Sequence, residues 1–380
     1  MKVYFIQDNS FLRTSRKTNP FFDPIIKVCE ENGIEWKLWL PERLQACGYD
    51  KGHVEYYRFF NALGIWFWRV AHIFWHAPVW RIYETFGRIS RVLFRKTFKA
   101  DLYVTIAGNL ARQLQGMFPN ARVIDVQHGV IYSMHNGYFE ENGRLVLPYR
   151  KPSRREFWLY GRGYADCFFK NHENLKDLER RVKIVGDLLG VARRHEKNEV
   201  AIRDAIVVSL QYTNDFGKDV LQSWTDDLTA VFAQVEAVGL QKRYQVLLKH
   251  HPRYANSFDI SPMMKRFPWL QLTDQSTNDL ISHAAYHVTY ASTTAFEYAA
   301  VGVPTLFTGS EKNGLSKELM YDEYAYPLPM GFETMKKALD DHEEWVWQGE
   351  SVRAWYRKFY APFDPSQCLA LLRGERVDMI

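Results

Sequence analysis

The sequence predicts an α/β fold built from two doubly wound domains, and two features of the chain lead to this prediction. Short apolar runs typical of strands alternate with amphipathic runs typical of helices, and this series occurs twice along the 380 residues. Such alternation favours a parallel sheet with helices on both faces. Between the two series, residues 191–204 are charged and lack apolar periodicity, as expected for an exposed linker.

The first domain is predicted to span residues 1–190. Its strands are expected over KVYFI, IEWKLWL, ADLYVTIAG and NARVIDV, and its helices over PIIKVCEENG and NLARQLQGMF. Residues 49–98 interrupt this series with a stretch of helical spacing that is dense in Tyr, Phe, Trp and Arg and breaks near Pro78. Its helices either pack their aromatic faces on the sheet or rest as an amphipathic segment on a membrane surface.

The second domain is predicted to span residues 200–335. Strands are expected over AIVVSLQ, YQVLLKHHP, AYHVTYAS and VPTLFTG, and helices over DVLQSWTDDLTAVFAQVEAVG, STNDLISHA and STTAFEYAAVG. Ser276 is the expected N-cap of the second of these helices, and Gly302 is expected to close the third. Residues 336–380 are expected to form helices that pack back on the first domain.

Composition restricts the partners of the chain. A formal charge of +5 suits anionic small molecules or an anionic membrane face, but without a basic run it does not indicate nucleic acid. The four cysteines form no CxxC pair, which predicts neither a zinc site nor a disulfide framework and favours a reducing compartment. With no recognisable signal peptide or spanning segment, we expect a cytoplasmic protein, peripheral at the inner face of the membrane.

A helix start in the second domain has the clearest chemistry. Ser292, Thr293 and Thr294 stand where a predicted strand gives way to a helix, so backbone N–H groups and hydroxyls can bind an anion there. Ordinary N-capping accounts for one of these hydroxyls more readily than for three. Glu297 either completes a capping box with the N–H of Thr294 or accepts hydrogen bonds from a ribose.

The loop KHHPR follows another predicted strand of the second domain. Pro252 stops the strand and fixes the direction of the chain, and Lys249, Arg253 or a protonated histidine can neutralise a departing phosphate. A histidine can also donate a proton to it. Because side chains alternate along a strand, one histidine should face the core and the other the ligand, which we expect to be His251. The alternative is a solvated basic loop.

The first domain offers a loop in the run DVQHGVIYSMHNGY. His128 is expected to project from the strand end into the cleft between the domains, and Gly129 permits a tight turn or the close approach of a ligand. The alternative is that Gln127 and His128 only satisfy backbone groups of the loop. Asp8 closes the first strand and is a candidate base, whereas Asp125 is either functional or buried and paired.

Five runs, in this order, resemble the two-domain GT-B glycosyltransferases: DVQHG, VKIVGD, VVSLQYTND, LLKHHPR and YASTTAFEYAAVGVPTLF. The resemblance covers residues 100–310. More narrowly, the chain is similar to bacterial capsule and surface-polysaccharide transferases of the Kdo-transferase type and to CDP-glycerol glycerophosphotransferases. It implies two Rossmann-type domains facing each other across a cleft. The Asp/Glu-Asp-Gly base motif of GT-B sialyltransferases is not recognisable in the sequence.

The resemblance also implies roles for individual residues. His251 and Pro252 would contact the nucleotide phosphate and assist its departure, and Ser292 with Thr293 would hold that phosphate. Glu297 would address the ribose. The remaining matches are the acceptor-side loop at Gln127, His128 and Gly129, and the donor-side loop at Gln211 and Asp215.

The resulting prediction is a glycosyltransferase that moves a sugar from a CMP-, UDP- or GDP-linked donor to a glycan or lipid-linked acceptor. Fixed donors and cations would stabilise the departing phosphate without a metal, and no cofactor is expected besides the nucleotide sugar. Two alternatives are a sugar-nucleotide epimerase on the same fold and a non-catalytic scaffold of a polysaccharide assembly complex. An epimerase would need several carboxylates around the sugar, and the first domain offers few.

Overall fold

The computed structural model describes most of the chain as two compact units. One unit contains residues 1–189 and 360–380, and the other contains residues 190–359. The described residues are 1–7, 18–40, 48–75, 78–94, 99–106, 108–132, 138–139, 144–146, 154–170, 175–190, 203–211, 218–251, 259–308, 317–375 and 377. Most of the expected linker at 191–204 lies outside them.

Each unit is organised around a parallel sheet. In the first, the described strands are Lys2–Ile6 (β1), Glu35–Leu40 (β2), Val54–Tyr56 (β3), Leu102–Thr105 (β4), Arg122–Val126 (β5), Arg155–Leu159 (β6) and Val182–Ile184 (β7). In the second, they are Ala205–Ser209 (β8), Gln245–Lys249 (β9), Leu270–Thr273 (β10), Ala284–Thr289 (β11) and Thr305–Phe307 (β12). The strand orders are β3-β2-β1-β4-β5-β6-β7 and β10-β9-β8-β11-β12, so both units have the doubly wound topology that the sequence predicts.

The helices lie between these strands along the chain and at its C-terminal end. In the first unit they begin with Asp23–Glu31 (α1), Arg58–Trp75 (α2), Val79–Phe94 (α3), Gly108–Met117 (α4), Arg162–Phe169 (α5) and Leu175–Arg181 (α6). The second unit contains Lys218–Ala237 (α7), Ser261–Arg266 (α8), Thr277–Ile281 (α9), Thr294–Ala300 (α10), Phe332–Asp340 (α11) and His342–Phe359 (α12). The last helix, Pro365–Arg373 (α13), belongs to the first unit.

The aromatic stretch of residues 49–98 forms α2 and α3, with the expected break near Pro78. Phe60 of α2 and Phe86 of α3 are buried in one cluster with Tyr4 and Tyr103 of the sheet. The stretch therefore packs an aromatic face on the first sheet, as in the first of the two arrangements expected from the sequence, and the membrane arrangement stays a prediction for its exposed side chains.

Helix α3 crosses α4 at two glycines. A Cβ atom added to Gly87 would overlap the carbonyl oxygen of Gln113 and lie 3.1 Å from the Cα atom of Gly116. One added to Gly116 would overlap the carbonyl oxygen of Glu84 and lie 3.2 Å from the Cα atom of Gly87. The two backbones therefore approach so closely that only glycine fits on either side.

The final helix is fastened to the first sheet by Arg122 of β5. Its Nε and Nη2 atoms donate to the Glu156 carboxylate at 2.8 and 2.9 Å. Its Nη1 and Nη2 atoms also donate to the carbonyl groups of Leu372 and Leu371 at 2.8 and 2.9 Å. Because the last carbonyl groups of a helix have no partners within the helix, Arg122 caps α13 while it joins two strands.

The strands of the second sheet end at one level. Ser209 of β8 is in register with Lys249 of β9 on one side and with Thr289 of β11 on the other. Lys249 in turn is in register with Thr273 of β10. The loops that follow these strands therefore leave the same edge of the sheet, where doubly wound proteins bind their ligands.

Candidate functional site

The candidate site of the second unit lies at its topological switch point. Strands β8 and β11 are neighbours in the sheet, and the chain connections from them run to opposite sides. Gln211 follows β8, and the Ser292–Thr294 turn follows β11. The resemblance had singled out both segments, and the sheet brings their starting points to adjacent strand ends.

Gln211 joins these two strand ends. Its Oε1 atom accepts a hydrogen bond from the Ala291 N–H at 2.7 Å and lies 3.3 Å from the hydroxyl of Thr289. The Ala291 amide directly precedes Ser292. The side chain therefore fixes the start of the Ser-Thr-Thr turn, which is a positioning role that the sequence did not suggest.

We expect Gln211→Met to destabilise the protein by about 1–3 kcal/mol, because the N–H of the buried Ala291 loses its acceptor. Gln211→Glu keeps an acceptor oxygen and should stay close to the wild type. Urea-unfolding midpoints measure the difference, with Gln222→Met on the exposed side of α7 as the matched control. Equal midpoints for Gln211→Met and Gln222→Met would contradict the positioning role.

The three hydroxyls of the turn are used differently. Ser292 Oγ accepts from the Thr294 N–H at 3.3 Å and from the Thr294 hydroxyl at 2.9 Å. Thr293 occupies the N-cap position but makes no side-chain capping bond, and its side chain is exposed. The start of the helix is therefore capped by Ser292, and the Thr293 hydroxyl lies exposed at the edge of the sheet.

Helix α10 is shorter than the sequence suggests. It runs from Thr294 to Ala300, and Gly302 follows it with a left-handed φ of 76°. A helix of two turns has a weak dipole. We therefore expect the hydroxyl groups to contribute more than the dipole to the binding of an anion at this turn. Glu297 lies in the first turn and is half-buried, while the Thr294 N–H that a Glu297 capping box would use donates to Ser292.

The basic loop begins at the end of β9, on the other side of β8. Lys249, His250 and His251 are all half-buried. Burial lowers the pKa of His250, the charge of Lys249 lowers it further, and Asp274 after β10 opposes them. His250 is therefore biased towards the neutral imidazole, which can donate a hydrogen bond without carrying charge. Neither histidine is assigned to the ligand side by these observations, so His251 stays a prediction.

A buried histidine below the switch point was missed by sequence reasoning. The Nε2 atom of His287 lies 2.8 Å from Ser209 Oγ, and its Nδ1 atom lies 3.0 Å from Thr305 Oγ1. The ring stacks on Tyr298 with centroids 4.0 Å apart. Either tautomer serves both hydroxyls, so His287 links β8, β11 and β12. A histidine within the apolar run AYHVTY was the available signal.

In the first unit, Gln127 repeats the arrangement of Gln211. Its Oε1 atom accepts from the Tyr160 N–H at 2.9 Å, and its Nε2 atom donates to the Gly129 carbonyl at 2.7 Å. The amide is buried and joins the ends of β5 and β6. His128, the next residue, is exposed. Gln127 thus satisfies loop backbone groups, one of the two expected roles, and its acceptor-side role stays a prediction.

Gly129 does not require the left-handed backbone that favours glycine. Its φ is not in the left-handed region, and a Cβ atom there would meet no described atom within 4 Å. The backbone at this position could therefore be formed by other residues. Both roles expected for Gly129, the tight turn and the close approach of a ligand, stay predictions.

Asp125 is buried at the end of β5 between two arginines. Neither of its carboxylate oxygens has a hydrogen-bond partner among the described residues. Burial raises the pKa of Asp125 to about 6, while the charges of Arg155 and Arg112 oppose the rise. The carboxylate is 1% exposed, so it belongs to the interior of the first unit rather than to the loop surface.

Part of the predicted site lies outside the described residues. This applies to Asp8, Asp215, Pro252 and Arg253. Within the described ranges, no group of three or more His, Cys, Asp or Glu side chains could hold a metal ion. The expectation of a metal-independent site therefore stays a prediction.

No family model and no curated protein matches the sequence. Solved structures do match the fold. The UDP-GlcNAc 2-epimerase from Methanocaldococcus jannaschii, in complex with UDP-GlcNAc and UDP, is 14% identical with a TM-score of 0.51, over 98% of this chain and 99% of that one. The α,α-trehalose 6-phosphate synthase from Burkholderia multivorans is 13% identical with a TM-score of 0.52, over 98% and 95%.

A third solved structure is the wall teichoic acid polymerase TagF, which is 14% identical with a TM-score of 0.53, over 97% of this chain and 87% of that one. Similarity at these identities is similarity of fold. Together with the two parallel sheets, it confirms the predicted class: the chain has a GT-B-like fold built from two Rossmann-type α/β units.

Proposed function

We propose that the protein is a glycosyltransferase that moves a sugar from a nucleotide-activated donor onto a bacterial surface or capsular glycan. The observation that carries the proposal is one edge of the second sheet. Hydroxyls of Ser292–Thr294 follow β11, and Lys249, His250 and His251 follow β9, with β8 between them. Two strand spacings correspond to about 10 Å, which a nucleotide phosphate group and its hydrogen bonds can span.

The chemistry of sugar transfer explains why both sets of groups are needed. As the bond from the sugar carbon to the phosphate oxygen breaks, negative charge develops on the phosphate and positive charge on the ring. The Thr293 hydroxyl and Lys249 would stabilise the phosphate, and His251 would hold or donate a proton at its departing oxygen. An acceptor hydroxyl then forms the new bond, and its proton passes to a base, for which Asp8 and His128 are the candidates.

The solved structures of similar fold support the substrate class. One of them contains UDP-GlcNAc and UDP, and another is a polymerase of wall teichoic acid. The proposal therefore covers surface-polymer transferases of the Kdo-transferase and CDP-glycerol types. The acceptor would be a glycan or a lipid-linked chain at the cytoplasmic face of the membrane.

Nucleotide binding is the first test. Calorimetric titration of the full chain with CMP-, CDP-, UDP- and GDP-linked compounds should identify one class that binds. Thr293→Val should weaken that binding about fivefold, because one neutral hydrogen bond contributes about 1 kcal/mol. Thr277→Val, in α9 of the same unit, is the control. Absence of binding throughout the panel would favour the scaffold alternative.

Turnover is the second readout of the same proposal. With the bound donor and a glycan acceptor, His251→Ala should reduce transfer by about 10²–10⁴, the usual contribution of a positioned proton donor. His283→Ala, an exposed histidine before β11, should transfer like the wild type. Conversion of the free sugar nucleotide into an epimer, without transfer, would instead identify the epimerase alternative.

A further inference from the structure

Helix α2 exposes an apolar stripe outside its buried face. Phe59, Trp66, Val70 and Ile73 recur at helical spacing and are exposed, with Trp66 at 63% and Phe59 at 68%. A neighbouring side of the same helix contains Phe60, which is buried in the core of the first unit. Helix α2 is thus apolar on two sides, and the core accounts for only one of them.

Helix α3 also exposes apolar side chains. Ile89, Val92 and Leu93 are all more than half exposed, and Val92 is 80% exposed. Helix α3 contacts α2 through Phe86, whose ring lies 5.4 Å from that of Phe60. We refer to the exposed side chains of α2 and α3 as the outer face.

The charge of the outer face is strongly positive. Residues 58–94, which contain both helices, include five arginines, no lysine and a single acid, Glu84, which gives a net charge of +4. Glu84 is itself paired with Arg88. The exposed arginines of the two helices are Arg58, Arg69, Arg81, Arg88 and Arg91. The segment therefore combines exposed Trp and Phe with an excess of guanidinium groups.

We propose that the outer face docks on the surface of a bilayer that contains anionic lipid. Trp and Phe are the side chains that enter the headgroup region, and arginines beside them bind lipid phosphates while their stems cover apolar surface. None of the described helices is long and apolar enough to cross a bilayer. Helices α2 and α3 would accordingly lie in the plane of the surface.

Charge argues against a second copy of the chain as the occupant. A two-fold dimer through the outer face would bring the same patch of five arginines against itself. An anionic bilayer neutralises those charges instead, so binding to it should weaken as salt screens the attraction.

Vesicle co-sedimentation of the full chain tests the docking. The protein should bind vesicles of phosphatidylcholine that contain about 30% of the anionic lipid phosphatidylglycerol. It should bind far less to vesicles of phosphatidylcholine alone, and far less to the anionic vesicles in high salt. The double variant Trp66→Ser/Ile73→Ser should lower the partition coefficient at least about tenfold, since two large apolar side chains leave the contact. Trp347→Ser, at a tryptophan 52% exposed on α12, should leave it unchanged.

A milder variant keeps the test decisive if the double variant folds poorly. Brominated phosphatidylcholine quenches the fluorescence of nearby tryptophans. Anionic vesicles that contain it should therefore quench the fluorescence of the wild type, and quench that of Trp66→Phe less. The control, Trp347→Phe, should be quenched like the wild type. Equal vesicle binding by the wild type and Trp66→Ser/Ile73→Ser would overturn the proposal. The proposal would also be overturned if sedimentation showed that the wild type is a dimer and that the double variant is not. Because no donor or acceptor is needed, vesicle binding and nucleotide binding can fail separately.

Discussion

Replacing Gly87 by alanine is expected to destabilise the first unit by about 2 kcal/mol. The added methyl group would overlap the carbonyl oxygen of Gln113 in α4, and backbone cannot move aside as the end of a side chain can. Overpacking of this kind costs about 1–3 kcal/mol or more, whereas the better helix propensity of alanine returns about 1 kcal/mol. The steric cost should prevail because both contact surfaces are helix backbone. Gly116→Ala should behave in the same way.

The matched control for Gly87→Ala is Gly64→Ala in α2. A Cβ atom at Gly64 would lie 3.2 Å from the ring edge of Phe86, a side chain that can shift by a few tenths of an ångström. Urea-unfolding midpoints should therefore fall for Gly87→Ala and change little for Gly64→Ala. Hydrogen exchange should accelerate in α2 and α3 of the Gly87 variant, since the α3–α4 crossing holds this pair on the sheet. Equal midpoints for the two variants would contradict the crossing described here.

Mild acid is expected to destabilise the second unit through His287. Burial lowers the pKa of His287 to about 3, from an ordinary value near 6.5. Between these values the unfolded chain binds a proton that the folded one does not. The free energy of unfolding therefore falls as the pH drops below about 6.5, by about 1.4 kcal/mol per pH unit at most. At pH 5 the loss from this group is about 2 kcal/mol.

Two measurements check the behaviour of His287. Its imidazole carbon resonance should keep the shift of a neutral ring down to pH 4, and the assignment follows from its absence in His287→Gln. The pH slope of the urea midpoint should be smaller in His287→Gln, because the amide can serve Ser209 and Thr305 without titrating. A His287 resonance that titrates near pH 6 would contradict the buried, neutral assignment.

Asp125 gives the first unit the opposite dependence. Its folded pKa is raised to about 6, so between about 3.8 and 6 the folded carboxyl group retains a proton that the unfolded chain has released. The stability contributed by this group is therefore present in acid and is lost as the pH rises through 6. Taken with His287, the two interiors respond to mild acid in opposite directions.

Strand periodicity predicted most of the fold. The apolar runs AIVVS and AYHVT are central strands buried along their whole length, and their ends fall where the polar residues Gln211 and Ser292 begin. Parallel topology then brought those two loops to one sheet edge, as expected from strand alternation with helices. The predicted N-cap at Ser276 is also present, where it forms a capping box with Asp279, because it depends on neighbouring residues alone.

Features that depend on contacts between distant segments were not predictable. The roles of Gln127 and Gln211 depend on backbone N–H groups of other strands, 33 and 80 residues away in sequence. His287 is recognisable only once Ser209 and Thr305 lie beside it. The φ of Gly129 was not predictable either, because residue type alone does not determine the backbone angle. The C-terminal helices were all expected to pack back on the first domain, but α11 and α12 belong to the second unit and only α13 belongs to the first. Their partners are set by packing, which the sequence pattern does not show.

The return of the chain to the first unit affects the order in which the protein is made. Residues 360–373 complete that unit, yet the whole of the second unit lies before them in sequence. Because synthesis proceeds from the N-terminus, residues 190–359 leave the ribosome before Arg122 has any α13 carbonyl to bind. The second unit is thus the first to have its complete chain. Until translation reaches the last helix, the nascent first unit keeps open the surface of α1 that α13 later covers.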